Sequence, residues 1–404
     1  MLSYLLPALL LSAAPSPAPR PAPAACPWQA SWGSSQMDPG GNNALPAGTL
    51  ADATLRQVVR VSTGGDTVRV RLSNAFGNQP LHIGGAAIGK VVANTGPALV
   101  PQSSRTLTFA GRADVLIPAG ADWWSDPVPM PVAAFADLGI SLYLPEEPQG
   151  QTSHPGARAT SYVVKGAHVG DATLTDPARN AHWFFIGGVE VRRCGARGIV
   201  AFGDSITDGY GVKPDTNTRW TDTFARRLGG KVAVINQGIG GNRILRDGLG
   251  PNAVARFDRD VLSQSGIGHV IVLEGINDIG VLQREKPATA AEQDALIAQV
   301  TAGYAQMIAR AHERSIRIYG GTVMPFMANG YYHADAGSER MRGAINAWIR
   351  TPGRFDAVID FDRIMRDPAR PAYLNPAYDS GDGLHPSEAG YRAMAEAVPV
   401  ALFR

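Results

Sequence analysis

The chain has little of several things, and each shortage excludes a class of protein. Its 404 residues carry two cysteines, too few for a disulfide-dense scaffold or a four-cysteine zinc site. The balance of 37 basic and 35 acidic residues leaves a formal net charge of +2, without the basic excess that phosphate backbones demand. Aromatic residues make up only 7% of the chain. No apolar run reaches the ~20 residues that a bilayer-spanning helix needs. What is abundant is glycine, 46 residues, and proline, 30, alongside a hydrophobic share of 45%. With that much apolar material the chain buries cores, so the glycine and proline mark turns and not disorder. The length suits two domains.

The N-terminal stretch Leu2 to Ala14 is short and apolar, and Pro15 to Ala25 is rich in proline and alanine. Ala22-Pro23-Ala24 fits an A-x-A cleavage site, so residues 1–25 read as a secretory signal peptide and leader, although no Lys or Arg precedes the apolar run. The expected location is therefore secreted or periplasmic. Lipid anchoring at Cys26 ranks below free export, because Pro23-Ala24-Ala25 departs from the Leu-led lipoprotein consensus. In an oxidising compartment Cys26 and Cys194 either pair, tying the N-terminus to the domain junction, or stay as two thiols.

Residues 26–193 read as β-structure. Thr67 to Leu72 alternates polar and apolar, the period of a half-buried strand, and follows Val58 to Val61 across Gly64-Gly65-Asp66, a hairpin signal. Further runs lie at Leu81–Ile83, Thr106–Phe109, Val115–Ile117 and Leu138–Leu144. Many short strands without a long helical period indicate an antiparallel β-sandwich, jelly-roll-like in form. Residues 194–404 change character. Apolar runs at Gly198–Phe202, Val232–Ile235, Val270–Leu273, Ile316–Tyr319 and Ala357–Ile359 alternate with helical segments, the clearest from Thr289 to His312 with a capping box at its start. Such alternation predicts an α/β domain with a parallel sheet and helices on both faces, whose ligands bind at the C-terminal strand ends.

Four motifs fall at those ends. Gly203-Asp204-Ser205-Ile206-Thr207-Asp208-Gly209 puts a serine hydroxyl at a strand-to-helix turn, where a plain N-cap is the competing reading. Asn236 to Arg243 contains Gly238, Gly240 and Gly241, which permit close approach of backbone N–H groups; the Lys-Ser/Thr of a phosphate loop is missing. In Glu274-Gly275-Ile276-Asn277-Asp278 the Asn277 amide can donate to an oxyanion, or the pair can simply make an Asx turn. Asp382-Gly383-Leu384-His385-Pro386 lets one turn hold a carboxylate beside an imidazole. Each motif alone is weak.

Together and in this order they resemble the GDSL, or SGNH, hydrolase family, over about residues 198–404. The first block reads Ser-Ile where the family name has Ser-Leu, which keeps an apolar side chain. The first half, with Ser31-Trp32-Gly33, Arg69 to Asn74 and Ser125-Asp126-Pro127, is similar to the β-domain that precedes the catalytic domain in some secreted members, and no functional residue is carried over from it. The resemblance implies a flavodoxin-like catalytic domain. It also implies Ser205 as nucleophile, His385 as general base and acid, and Asp382 as its orienting partner. The implied oxyanion hole comprises the N–H groups of Ser205 and Gly241 with the Asn277 amide. Gly241 is chosen because it stands five residues after Asn236. The implied reaction is carboxylic ester hydrolysis through an acyl-serine, with no cofactor and no metal. Short-acyl esters on carbohydrate, acetyl above all, are the leading substrate class, and Trp123-Trp124 and Tyr331-Tyr332 are candidates for stacking on sugar or for ordinary packing. The alternatives are a broad esterase or lipase acting on lipid or aryl esters, and a glycan-binding protein with an inactive hydrolase fold. Expected partners are small esters or acylated polysaccharides, with no nucleic acid and no integral membrane segment. The near-zero net charge favours an uncharged ester.

Overall fold

The computed structural model describes residues 26–284 and 286–403; the expected signal peptide and leader, residues 1–25, lie outside the described residues. Residues between Trp28 and Arg192 build two large antiparallel sheets and two small two-stranded ones, Leu81–Ile83 with Val115–Ile117 and Ser153–His154 with Trp183–Phe184. One large sheet runs Trp28–Gly33, Ile186–Arg192, Gly65–Ser73, Asp122–Trp124, with Val128–Val132 also paired to Gly65–Ser73. The other runs Ala178–Asn180, Ser161–Lys165, Ala53–Arg60, Asp137–Leu144, Gly85–Lys90, Arg105–Leu107. The alternation read in Gly65–Ser73 sends Val68, Val70 and Leu72 into the core between the sheets, beside Leu55, Ile140 and Val189. The sandwich is as expected, but one connection differs. Ala53–Arg60 and Gly65–Ser73 belong to different sheets, so the Gly64-Gly65 turn makes a sheet-to-sheet crossing and not a hairpin. The crossing is held from outside. Ser31 Oγ donates to the Thr63 carbonyl and accepts from the Thr63 N–H, and Thr63 Oγ1 donates to the Gly230 carbonyl of the second domain.

Cys26 and Cys194 form a disulfide. The antiparallel register pairs Trp28 with Arg192, so the residues just outside the first and last strands of the sandwich meet, and the bond closes a span of 168 residues.

The second half is a five-stranded parallel sheet of β1 (Gly198–Gly203), β2 (Val234–Gly238), β3 (Ile267–Leu273), β4 (Arg317–Gly321) and β5 (Ala357–Ile359), in the order β2-β1-β3-β4-β5. This is the flavodoxin-like order, with its topological switch between β1 and β3. Its central strands are buried along nearly their whole length, because helices sandwich a parallel sheet and leave neither face to water. The helices are α1 (Ser205–Asp208), α2 (Trp220–Arg227), α3 (Ala253–Phe257), α4 (Ile276–Arg284), α5 (Ala290–Glu313), α6 (Ala336–Arg350), α7 (Phe361–Met365) and α8 (Glu388–Ala397). Helices α2, α7 and α8 pack together as one group, and α3 to α6 as another. Helix α5 starts as read, with Thr289 as N-cap and Glu292 closing the capping box. Among the described residues no helix is long and apolar enough to cross a membrane.

The halves are knitted by polar bonds as well as packing. Ser62 Oγ accepts from the Val234 N–H at 3.0 Å, Ser35 Oγ donates to Gln237 Oε1 at 2.8 Å, and Ala30 joins the core of the second domain.

Candidate active site

Strand β1 delivers Ser205 to the switch point. Asp204 caps α1, accepting from the Ile206 N–H at 2.9 Å, so the chain turns directly from strand into helix with Ser205 at its first position. Gly203 is required there by crowding: a Cβ would lie 2.3 Å from Thr207 Oγ1 and 2.6 Å from the Leu273 carbonyl oxygen. Ser205 Oγ stands 2.8 Å from His385 Nε2, and His385 Nδ1 stands 2.6 Å from Asp382 Oδ2. The other Asp382 oxygen accepts the N–H groups of Leu384 and His385 at 2.9 and 2.8 Å, locking the three-residue turn. A carboxylate at Nδ1 keeps the proton there and leaves Nε2 as an acceptor facing the serine hydroxyl. Burial acts to raise the Asp382 carboxyl, but the hydrogen bonds from His385 outweigh it and hold the group well below the usual carboxylate range.

The oxyanion candidates share one cleft with Ser205 and His385. Gly241 adopts φ +71°, a left-handed conformation that suits glycine. Among the described residues, neither the Ser205 N–H nor the Gly241 N–H is taken by an acceptor. Asn277, at the start of α4, has its amide orientation set by two neighbours: Nδ2 donates to the Asn242 carbonyl at 2.7 Å, and Oδ1 accepts from the Tyr332 hydroxyl at 2.6 Å. One amide hydrogen is thereby left for the cleft. All five residues singled out in the sequence (Ser205, Gly241, Asn277, Asp382, His385) line this cleft of about 1210 Å³.

Four supports carry no motif of their own. Tyr332 is one, and it separates the tyrosine pair: Tyr332 is buried on Asn277, whereas Tyr331 is 61% exposed and accepts from Arg284 Nη1 at 2.5 Å. The tryptophan pair lies elsewhere, Trp124 covering the Arg69 guanidinium on the sandwich. The second support is Arg256, whose side chain is wholly buried. It donates to the Gly203 and Gln237 carbonyls, Asn242 Oδ1, Ser35 Oγ, Asp260 and Glu274, all between 2.8 and 3.1 Å. One guanidinium thus ties the chain ends of β1, β2 and β3 beneath the site. Beside it, burial pushes Asp204 and Glu274 upward, each aggravated by nearby carboxylates, and burial lifts Asp278 to about 6. The third is His154 of the sandwich, buried with Nε2 3.0 Å from Asp208 Oδ1 and Nδ1 2.8 Å from the Ser35 carbonyl. The fourth is Tyr210, whose ring lies 4.0 Å from the His385 imidazole and whose carbonyl accepts from the Tyr391 hydroxyl. Their partners are remote in the chain, so only the fold reveals them; Tyr332 alone stands in the sequence reading, as half of the Tyr331-Tyr332 pair.

A serine, an imidazole and a carboxylate in hydrogen-bonded series at the C-terminal edge of a parallel α/β sheet have the layout of a serine hydrolase. Residues 201–393 match the GDSL-like Lipase/Acylhydrolase family, and this part of the chain is a domain of that family. No curated protein matches the chain. Among solved structures, a GDSL-like lipase from Bacteroides thetaiotaomicron is similar at 20% identity and a TM-score of 0.38, over 51% of this chain and 87% of its own. A catalytic mutant of an acetylxylan esterase from Geobacillus stearothermophilus is similar at 21% identity and a TM-score of 0.39, over 50% of this chain and 93% of its own.

Proposed function

We propose that the protein is an exported serine esterase that cleaves short-acyl esters, acetyl above all, from carbohydrate. The observation that carries the reading is the series Ser205–His385–Asp382 at 2.8 and 2.6 Å beside donors with no competing acceptor. In this reading His385 Nε2 takes the Ser205 proton as Oγ attacks the ester carbonyl. The N–H groups of Ser205 and Gly241 and the free hydrogen of the Asn277 amide receive the oxyanion, each worth about 3 kcal/mol in the barrier. His385 then protonates the leaving alcohol and activates water for deacylation, while Asp382, kept ionised, holds the Nδ1 tautomer.

The carbohydrate assignment is supported by the cleft's width and lining. Its volume of about 1210 Å³ exceeds what a small ester fills. Polar groups such as Asn43, Arg158 and His182 line the cleft, with exposed rings at Tyr210 and Tyr331. Export is supported by the Cys26–Cys194 disulfide, a bond that persists in oxidising compartments. The test is acetate release from a panel of acetylated polysaccharides, with Ser205→Ala as control, alongside 4-nitrophenyl esters of increasing chain length. Release that vanishes in Ser205→Ala and falls with chain length is the expected result. A preference for long acyl chains overturns the acetyl assignment.

A further inference from the structure

Two buried guanidiniums of the α/β half are each met by two carboxylates, Arg256 by Asp260 and Glu274, Arg342 by Glu339 and Asp362, and the wholly buried Arg56, which has no carboxylate, is met by the Ser141 hydroxyl and three backbone carbonyls. Arg158, which the sandwich contributes to the cleft, has no such partner. Among the described residues its side chain makes neither an ion pair nor a hydrogen bond, and its Nε is buried without an acceptor. With Nε shielded from solvent, an acceptor entering the cleft would be received by the two terminal nitrogens, which also lack a hydrogen-bond partner among the described residues. The carboxylates of the cleft do not serve. Asp208 is held by His154, Asp382 by His385, and Asp379 accepts the N–H groups of Gly381 and Gly383. Arg243, which also lines the cleft, is likewise without a carboxylate among the described residues, its side chain donating to the Asp247 carbonyl.

Position says which part of a substrate Arg158 would meet. Its guanidinium carbon lies 5.5 Å from the centre of the Tyr210 ring, and that ring lies 4.0 Å from the His385 imidazole. The three groups form a stepped series leading out from the base. The leaving oxygen must come within hydrogen-bond reach of His385 to be protonated, so the alcohol portion of the ester lies on this side and passes Tyr210 toward Arg158.

We propose that Arg158 determines specificity by receiving a carboxylate on the alcohol portion, so that the substrate is an acylated acidic sugar, a uronate, in preference to a neutral one. The planar guanidinium fork matches a carboxylate in two parallel hydrogen bonds. Tyr210, 47% exposed, lies beside the path of the sugar ring, and Arg243 is a second guanidinium of the cleft without a carboxylate partner among the described residues. The inference rests on the esterase reading and replaces the uncharged ester favoured by the net charge, since a whole-chain balance does not describe the charge lining one cleft. It also gives the sandwich a direct part in substrate recognition.

The test compares acetate release from O-acetylated polygalacturonate with release from the same polymer after methyl esterification of its carboxylates, in the wild type and in Arg158→Gln. 4-Nitrophenyl acetate is assayed in parallel. The wild type is expected to favour the acidic polymer by about tenfold in kcat/KM, the yield of one charge-assisted hydrogen bond. The preference should narrow with added salt and collapse in Arg158→Gln. Unacetylated polygalacturonate should also compete with 4-nitrophenyl acetate in the wild type, where its methyl ester does not, a readout independent of how the variant folds. Equal use of both polymers, or a preference unchanged in a folded Arg158→Gln, overturns the inference while hydrolysis of 4-nitrophenyl acetate leaves the esterase reading standing. A protein inert toward 4-nitrophenyl acetate and both polymers overturns the two together.

Discussion

The Tyr332 hydroxyl donates a hydrogen bond of 2.6 Å to Oδ1 of Asn277, and this bond decides which way the Asn277 amide faces. The Asn242 carbonyl can only accept, so it confirms the same orientation from the other end at 2.7 Å. With both atoms of the amide engaged, its remaining hydrogen has a fixed direction. Tyr332→Phe keeps the ring and removes the anchor. The expected outcome is a fall of about tenfold in kcat with KM within about twofold, since the amide would be misplaced only where charge develops. Steady-state kinetics on 4-nitrophenyl acetate, with a thermal melt to show the fold intact, check this. A change confined to KM would argue against a positioning role.

Asp382 is ionised over the whole working range, because the bonds from His385 hold it well below the usual carboxylate value against the opposing effect of burial. Its stabilisation is therefore present at and above the ordinary carboxylate range and is lost only as pH falls through the depressed value. Mild acidification should therefore leave Asp382 charged and its hold on His385 Nδ1 intact. Asp382→Asn, which cannot enforce the Nδ1 tautomer, should lower kcat by roughly 10³–10⁴-fold. A variant within a few fold of wild type would remove Asp382 from the relay.

Under the site the expected pH effect has the opposite sign. Burial raises the Asp204 carboxyl, and neighbouring carboxylates add to it, so the folded protein keeps a proton that the unfolded chain has released. Stability linked to this group is full below the unfolded value and declines as pH rises toward neutrality. Asp204→Asn retains an acceptor for the Ile206 N–H and has no proton to lose. The melting temperature of the variant relative to wild type should therefore climb between about pH 4.5 and about pH 7.5. Parallel melting curves across that window would contradict the assignment.

The Cys26–Cys194 bond joins the outer ends of two paired strands and closes 168 residues. Replacing both cysteines by serine should cost about 2–5 kcal/mol of stability. Denaturant unfolding of the variant, compared with wild type with and without reductant, measures it. Wild type unaffected by reductant would show that strand pairing alone holds these ends.

The parallel sheet was legible because each strand is a continuous apolar run followed by a turn, and α5 because its apolar period and capping box agree. The four motifs were legible for the same reason: each sits in a few consecutive residues at a strand end. The misread hairpin shows where local reading stops. Gly64-Gly65 is turn chemistry whichever sheet follows, and the choice of sheet is made by Ser31, Thr63 and Gly230, the last distant in sequence. His154 and Arg256 were hidden for a related reason. A lone histidine in a β-domain or a lone arginine on a short helix has no signature until Asp208, or Gly203, Gln237 and Glu274, are brought against it.

The measurement closest to the central claim is covalent labelling by a fluorophosphonate followed by peptide mass mapping. An acyl-serine mechanism predicts one adduct, on Ser205, forming as esterase activity is lost, and no adduct in Ser205→Ala. Full esterase activity in Ser205→Ala, or an adduct on another residue that tracks inactivation, would contradict the account.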